Sequence, residues 1–135
     1  MSERLLAVDL GDRRTGIAAG DTVSGTVVPL TVLAMDRNDA LLDAVAALVR
    51  EHGPDAVILG LPLNMDGTEG PRAALTRDFG GALAEATGVQ VHMHDERLTS
   101  FEAEQRMRGT SRRAKKAHAD AVAACVLLES WLAAR

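Results

Sequence analysis

The chain contains no tyrosine, two phenylalanines and one tryptophan among 135 residues. Binding of single-stranded nucleic acid by base stacking needs several exposed rings, so that mode of recognition is excluded. Cysteine is almost as scarce. Cys125 stands alone, which rules out a disulfide framework and a cysteine-built zinc site. In its alanine-rich surroundings it reads as a small buried residue. No apolar run approaches the roughly 18 residues of a membrane span. Met1-Ser2-Glu3-Arg4 runs directly into an apolar segment, without room for a secretory leader. These absences predict one cytoplasmic domain, residues 1–135, with no membrane partner. A content of 47% hydrophobic and 25% charged residues is that of an ordinary globular domain with a proper core.

Charge is unevenly placed. The net value is −4, but residues 97–118 carry seven basic side chains against two acids, leaving −9 on the remainder. A polyanion partner would therefore dock near the C-terminal quarter.

Four apolar residues, Leu5-Leu6-Ala7-Val8, lead into a lone acid, Asp9, and the turn Gly11–Gly16. That pattern predicts a strand buried on both faces, then a hairpin. Two further strands follow, Thr15–Gly20 and Thr26–Leu33. Asn38 or Asp39 caps a helix with an apolar stripe of Leu41, Val45 and Leu48, flanked by Leu42 and Val49, and Gly53-Pro54 ends it. Asp55–Gly60 is another buried strand. A ten-residue loop, Leu61–Gly70, precedes a helix from Pro71 to about Ala86, closed by Gly88. Val89–Met93 forms the fifth strand, ending in His94-Asp95-Glu96-Arg97. Thr99 or Ser100 opens a helix through a capping box with Glu102. Arg108–Lys116 reads as a mobile basic stretch, and a last helix covers about Ala119–Ala133. The order βββαβαβαα implies an α/β fold, a mixed five-stranded sheet flanked by helices.

Three acids fall where burial is expected. Asp9 ends the first strand and Glu96 the fifth. Asp120 opens the last helix on the face that carries Ala124, Leu127 and Trp131. Each has an ordinary reading: Asp9 caps its own turn, and a first-turn Asp120 complements the helix dipole. The dipole requires no inward direction, however. If the first and fifth strands lie close together, the three acids converge, and their mutual repulsion calls for a divalent cation. Oxygen-only ligands point to Mg²⁺ or Mn²⁺. Pairs of such ions, about 3.5–4 Å apart, serve phosphoryl transfer. The basic run Arg112, Arg113, Lys115 and Lys116 would hold a phosphate backbone over that site.

Four blocks in order resemble the bacterial YqgF (RuvX) family: Val8–Gly16, Gly60–Arg72, Asp95–Ser100 with Glu102-Ala103-Glu104, and Asp120–Ala124. The likeness runs essentially end to end. It implies an RNase H-like fold and a metal-dependent nuclease acting on structured RNA (the 5′ end of pre-16S rRNA) or branched DNA (the Holliday junction). It makes Asp9, Glu96 and Asp120 the catalytic and metal-binding acids. Asp9 would bridge two ions, Glu96 and Asp120 would each help hold one, and cleavage would leave a 5′ phosphate. Ala117-His118-Ala119 departs from the pattern, which has a larger apolar residue there; His118 is either a surface histidine or a proton carrier.

Other residues carry two readings each. Asn64 and Thr68 line a substrate groove or merely close their loop. Arg13 and Arg14 touch phosphates or neutralise Asp12. Arg97 pairs with Asp95 or Glu96, or meets a phosphate. His92 and His94 share one strand face without a third zinc ligand. A homodimer would suit a symmetric junction, though no dimer face is legible. The rival functions are an actin-like or sugar-kinase-type nucleotide-binding module, suggested by Asp9, Gly11 and Gly16, and a non-catalytic nucleic-acid-binding protein. The first rival needs two such domains to enclose a nucleotide.

Overall fold

The structure is a computed structural model and describes residues 2–96 and 112–134, with side chains in the last helix from residue 121 onward. Its elements are β1 (Arg4–Asp9), β2 (Thr15–Asp21), β3 (Val27–Leu33), α1 (Asp39–His52), β4 (Ala56–Leu61), α2 (Pro71–Thr87), β5 (Gln90–Asp95) and α3 (Arg112–Ala133). The strands form one sheet in the order β3-β2-β1-β4-β5. β1 to β3 meander antiparallel, whereas β4 and β5 join β1 in parallel. Pro29 sits in β3, an edge strand, where a missing N–H is tolerated.

Alternation along the buried strands divides the core in two. Leu6 and Val8 of β1, with Val57 and Leu59 of β4, pack under α1 and α2. Leu5 and Ala7, with Ala56 and Ile58, pack under Ala124, Leu127 and Leu128 of α3. Each of these fully buried leucines contributes about 1.5–3 kcal/mol relative to exposure. Cys125 is buried in the second layer.

The helix boundaries follow local chemistry. Asn38 caps α1 by accepting from the Ala40 and Leu41 N–H groups, and Gly53 closes it in the left-handed conformation. The buried stripe of α1 is Leu41, Val45 and Val49, with Leu48 at its side. The expected ranking of Leu48 over Val49 is therefore reversed, because a spacing of four keeps that face against the sheet.

One other expectation is corrected. Residues 112–116 are helical, so this part of the run expected to be mobile forms the first turns of α3. Arginine, lysine and alanine all favour helix, and the charge of the run hid that preference. The first and fifth strands lie close in the sheet, with β4 between them. Arg97 and the helix expected from Thr99 or Ser100 lie outside the described residues. Among the described residues, no helix is long and apolar enough to cross a membrane.

Candidate active site at the carboxyl ends of β1 and β5

β1, β4 and β5 run parallel, so their carboxyl ends lie on one rim of the sheet. Asp9 ends β1 on the α3 face, continuing the line of Leu5 and Ala7. Glu96 follows β5, and its backbone N–H donates to the Leu61 carbonyl at 3.3 Å. Between them, on β4, stands Gly60. A Cβ there would collide with the Glu96 carboxylate and approach the Leu127 side chain at 3.3 Å. The missing side chain on the central strand is thus what lets an acid from the edge strand reach toward Asp9.

The two carboxyls meet. Glu96 is hydrogen-bonded to Asp9 and is half-buried. Burial pushes the Glu96 carboxyl up to about 7, with the Asp9 charge, that hydrogen bond and the Asp95 charge adding to the rise, and only Arg72 opposing it. The pair is thus relieved when Glu96 carries a proton.

The third acid is placed by the course of α3. Trp131 stacks on His92 with ring centroids 4.9 Å apart and meets the edge of His94 at 5.7 Å. Leu127, one turn earlier, lies over Gly60. The helix therefore runs antiparallel to β4 and β5. Position 120 falls about 10 Å before Leu127 along the axis, in the direction of the rim that carries Asp9 and Glu96. His92 and His94 are engaged by Trp131 and by a 2.8 Å contact from His94 Nε2 to Ser130 Oγ. They hold α3 on the sheet.

The rim carries a chain of ions absent from the sequence-based candidates. The Asp12 carboxylate lies 3.6 Å from Arg37 Nη2 and 3.4 Å from Arg72 Nη2. Arg72 stands beside Pro71 at the start of α2, and its charge reaches Glu96. A sequence signal for it exists: a cation in a helix's first turn works against the dipole. Arg13 and Arg14 are exposed in the β1–β2 turn, and the described ion pairs of Asp12 run to Arg37 and Arg72 instead. The turn needs Gly11, because a Cβ there would overlap the Arg14 carbonyl. The Leu61–Gly70 loop is braced from within. The Asn64 N–H donates to the Thr68 carbonyl at 2.8 Å, its amide donates to the Thr68 hydroxyl at 3.0 Å, and Leu63 bridges to Glu69. Arg112, Arg113, Lys115 and Lys116 lie in the opening turns of α3, before position 120.

A groove of about 780 Å³ at the opposite, amino-terminal rim is lined by Leu5, Asp55, Gln90, His92 and Trp131. It holds no pair of carboxyls in contact with each other, so size alone does not make it the reactive site.

This sheet order, with helices on both faces, is the RNase H-like fold. It is shared with T. thermophilus RuvC in complex with a Holliday junction substrate, at a TM-score of 0.58 and 11% identity over 93% of this chain and 92% of that one. It is also shared with the fowlpox virus Holliday junction resolvase, at 0.63 and 15% over 98% and 99%. In sequence, residues 3–134 match the family described as RuvX, Holliday junction resolvase. A relative from Anaeromyxobacter sp. (strain Fw109-5), named "Putative pre-16S rRNA nuclease", is 46% identical over 134 residues, 98% of both chains. The chain belongs to the RuvX family.

Proposed function

We propose that this protein is a divalent-metal-dependent hydrolase that cuts phosphodiester bonds in structured nucleic acid, with Asp9, Glu96 and Asp120 as its catalytic acids. The observation that carries this reading is the contact between the Asp9 and Glu96 carboxyls, drawn from separate strands into a half-buried rim. A fold has little structural reason to press two acids together, and the repulsion is relieved by a proton or by a cation.

The donors fit a hard divalent ion. They are oxygens, with no sulfur among them, and suit Mg²⁺ or Mn²⁺, one ion or a pair. Asp9 and Glu96 would hold the ion, with Asp120 arriving from α3 as the third ligand. When bound, it would supply a water acidic enough to attack phosphorus and a positive charge beside the departing oxygen. The protein's own groups do the remaining work. The sheet fixes Asp9 and Glu96 on one rim. Glu96 would hold the ion in its ionised form. Arg112, Arg113, Lys115 and Lys116 offer charge for the substrate backbone at the entry to α3, and Arg13, Arg14, Asn64 and Arg97 are further candidate contacts.

The substrate that the 46%-identical relative's name carries is pre-16S rRNA, and we take maturation of its 5′ end as the leading activity. Branched DNA is the alternative, in keeping with the family's description. For a four-way junction, two copies related by a two-fold axis would cut matched strands. Either substrate places the work in the cytoplasm.

The test compares a labelled four-way DNA junction with a labelled RNA spanning the pre-16S 5′ end, in Mg²⁺ and in Mn²⁺. Wild type is expected to cleave at least one of them, and Asp9→Asn to lose cleavage while keeping its fold and most of its binding. Equal cleavage by Asp9→Asn would sink the assignment, as would cleavage of neither substrate by wild type.

A further inference from the structure

The ion chain Arg37–Asp12–Arg72 has no role in the fold that its geometry explains. Asp12 is exposed on its turn, and the Arg72 side chain is 64% exposed. A pair so open to solvent contributes little to stability, about 0–1 kcal/mol. Its position is less ordinary. Arg37 is largely buried, at 16% exposure, and its Nε is a buried donor with no hydrogen-bond partner. Its Nη2 reaches the Leu10 carbonyl at 3.4 Å, next to Asp9. The guanidinium is thus anchored beneath the β1–β2 turn and holds Asp12 from behind. Asp12, three residues beyond Asp9, in turn pairs with Arg72 in the first turn of α2, which puts that guanidinium on the same rim. Another α2 arginine, Arg77, is fixed elsewhere by a two-pronged contact with Glu69 at 2.6 and 2.8 Å.

A phosphodiester approaching Asp9 and Glu96 meets like charge. Arg72, paired through Asp12 to the turn that follows Asp9, offers the opposite charge in a planar fork suited to phosphate oxygens. We propose that Arg72 is a catalytic residue that contacts the phosphate undergoing cleavage. It would exchange its weak ion pair with Asp12 for a phosphate oxygen and stabilise the charge that builds there. Asp12 and Arg37 are positioning residues that hold the guanidinium ready. This rests on the reading of the site as a nuclease centre, and adds to it a cation supplied by the protein.

The experiment uses the full chain and the same labelled junction and pre-rRNA 5′ segment. Cleavage is followed in single turnover with protein in excess, and affinity is measured in an Asp9→Asn background. Arg72→Gln is expected to slow cleavage at saturation about 100-fold, the scale of losing one donor aimed at developing charge. Affinity should change far less, and thermal unfolding should match wild type. Arg72→Lys should recover part of the rate, since it restores charge without the fork. Asp12→Asn should slow cleavage less than Arg72→Gln does, and Arg77→Gln should leave it unchanged. Cleavage by Arg72→Gln at the wild-type rate, while Asp9→Asn is inactive, would overturn the proposal and leave the nuclease reading standing. A rate loss matched by an equal loss of affinity would also overturn it, by making Arg72 a general binding contact. If wild type cuts neither substrate, the nuclease reading itself fails.

Discussion

At the scale of residues, the site is defined by a carboxyl held where its charge is unwelcome. Glu96 ionises near 4.5 when free and near 7 when folded, so between those values the folded chain holds a proton that the unfolded chain has released. The metal-free protein should therefore lose stability as pH rises from about 4.5 through 7, by an amount of order 1–3 kcal/mol. Glu96→Gln should flatten that decline, and Mg²⁺ or Mn²⁺ should oppose it in wild type alone. Denaturant unfolding at pH 5 and pH 8 measures both; a wild-type curve with no pH dependence across that range would refute the assignment of the shift. Asp9 and Glu96, whose carboxyls meet, were legible as candidates because acids next to apolar runs conflict visibly with their surroundings. The sequence did not pair Arg72 with Asp12. Their relation depends on two turns 60 residues apart meeting at one rim, which no local pattern encodes.

At the scale of elements, α2 carries adjacent glycines with opposite meanings. Gly81 is exposed, with nothing within 4 Å of an added Cβ. Gly80 faces the sheet, where a Cβ would come within 2.5 Å of the Met93 methyl and 3.1 Å of the Leu59 side chain. Alanine in a helix interior is worth about 0.5–1 kcal/mol over glycine. Gly81→Ala should raise stability by that amount. Gly80→Ala should gain less, since Met93 must shift and Leu59 is pressed, and chemical denaturation would rank the pair. Elements with a period and a stop signal, such as α1 between Asn38 and Gly53, were readable from the sequence almost to the residue. The start of α3 was not. Its first turns, Arg112-Arg113-Ala114-Lys115-Lys116, have the propensity of a helix and the charge of a loop, and charge was the misleading signal.

At the scale of the molecule, acids and bases occupy different regions. The four cations that open α3 sit on the helix that leads toward the acidic rim, in a chain of net charge −4. Replacing Arg112, Arg113, Lys115 and Lys116 with glutamine should weaken junction binding in an Asp9→Asn background. The slope of log affinity against log salt should become shallower by up to about 3–4, near 0.9 for each phosphate that is no longer neutralised. Unfolding should change little. An unaltered slope would remove these residues from the interface. Fold class was legible because the order of elements, three strands and then alternating helix and strand, admits few sheets. The adjacency of strands was not, and it placed β4 between the two acids.

That interposed strand has a consequence for how the family can vary. Neighbouring strands are spaced about 4.8 Å apart by their hydrogen bonds, so two strands set a fixed span of roughly 10 Å between the backbones bearing Asp9 and Glu96. The ruler of the reactive centre is the repeat of the sheet, and β4 contributes to it only an empty place at Gly60. A change in the loops or helix ends around the rim would leave that span between the two backbones unaltered.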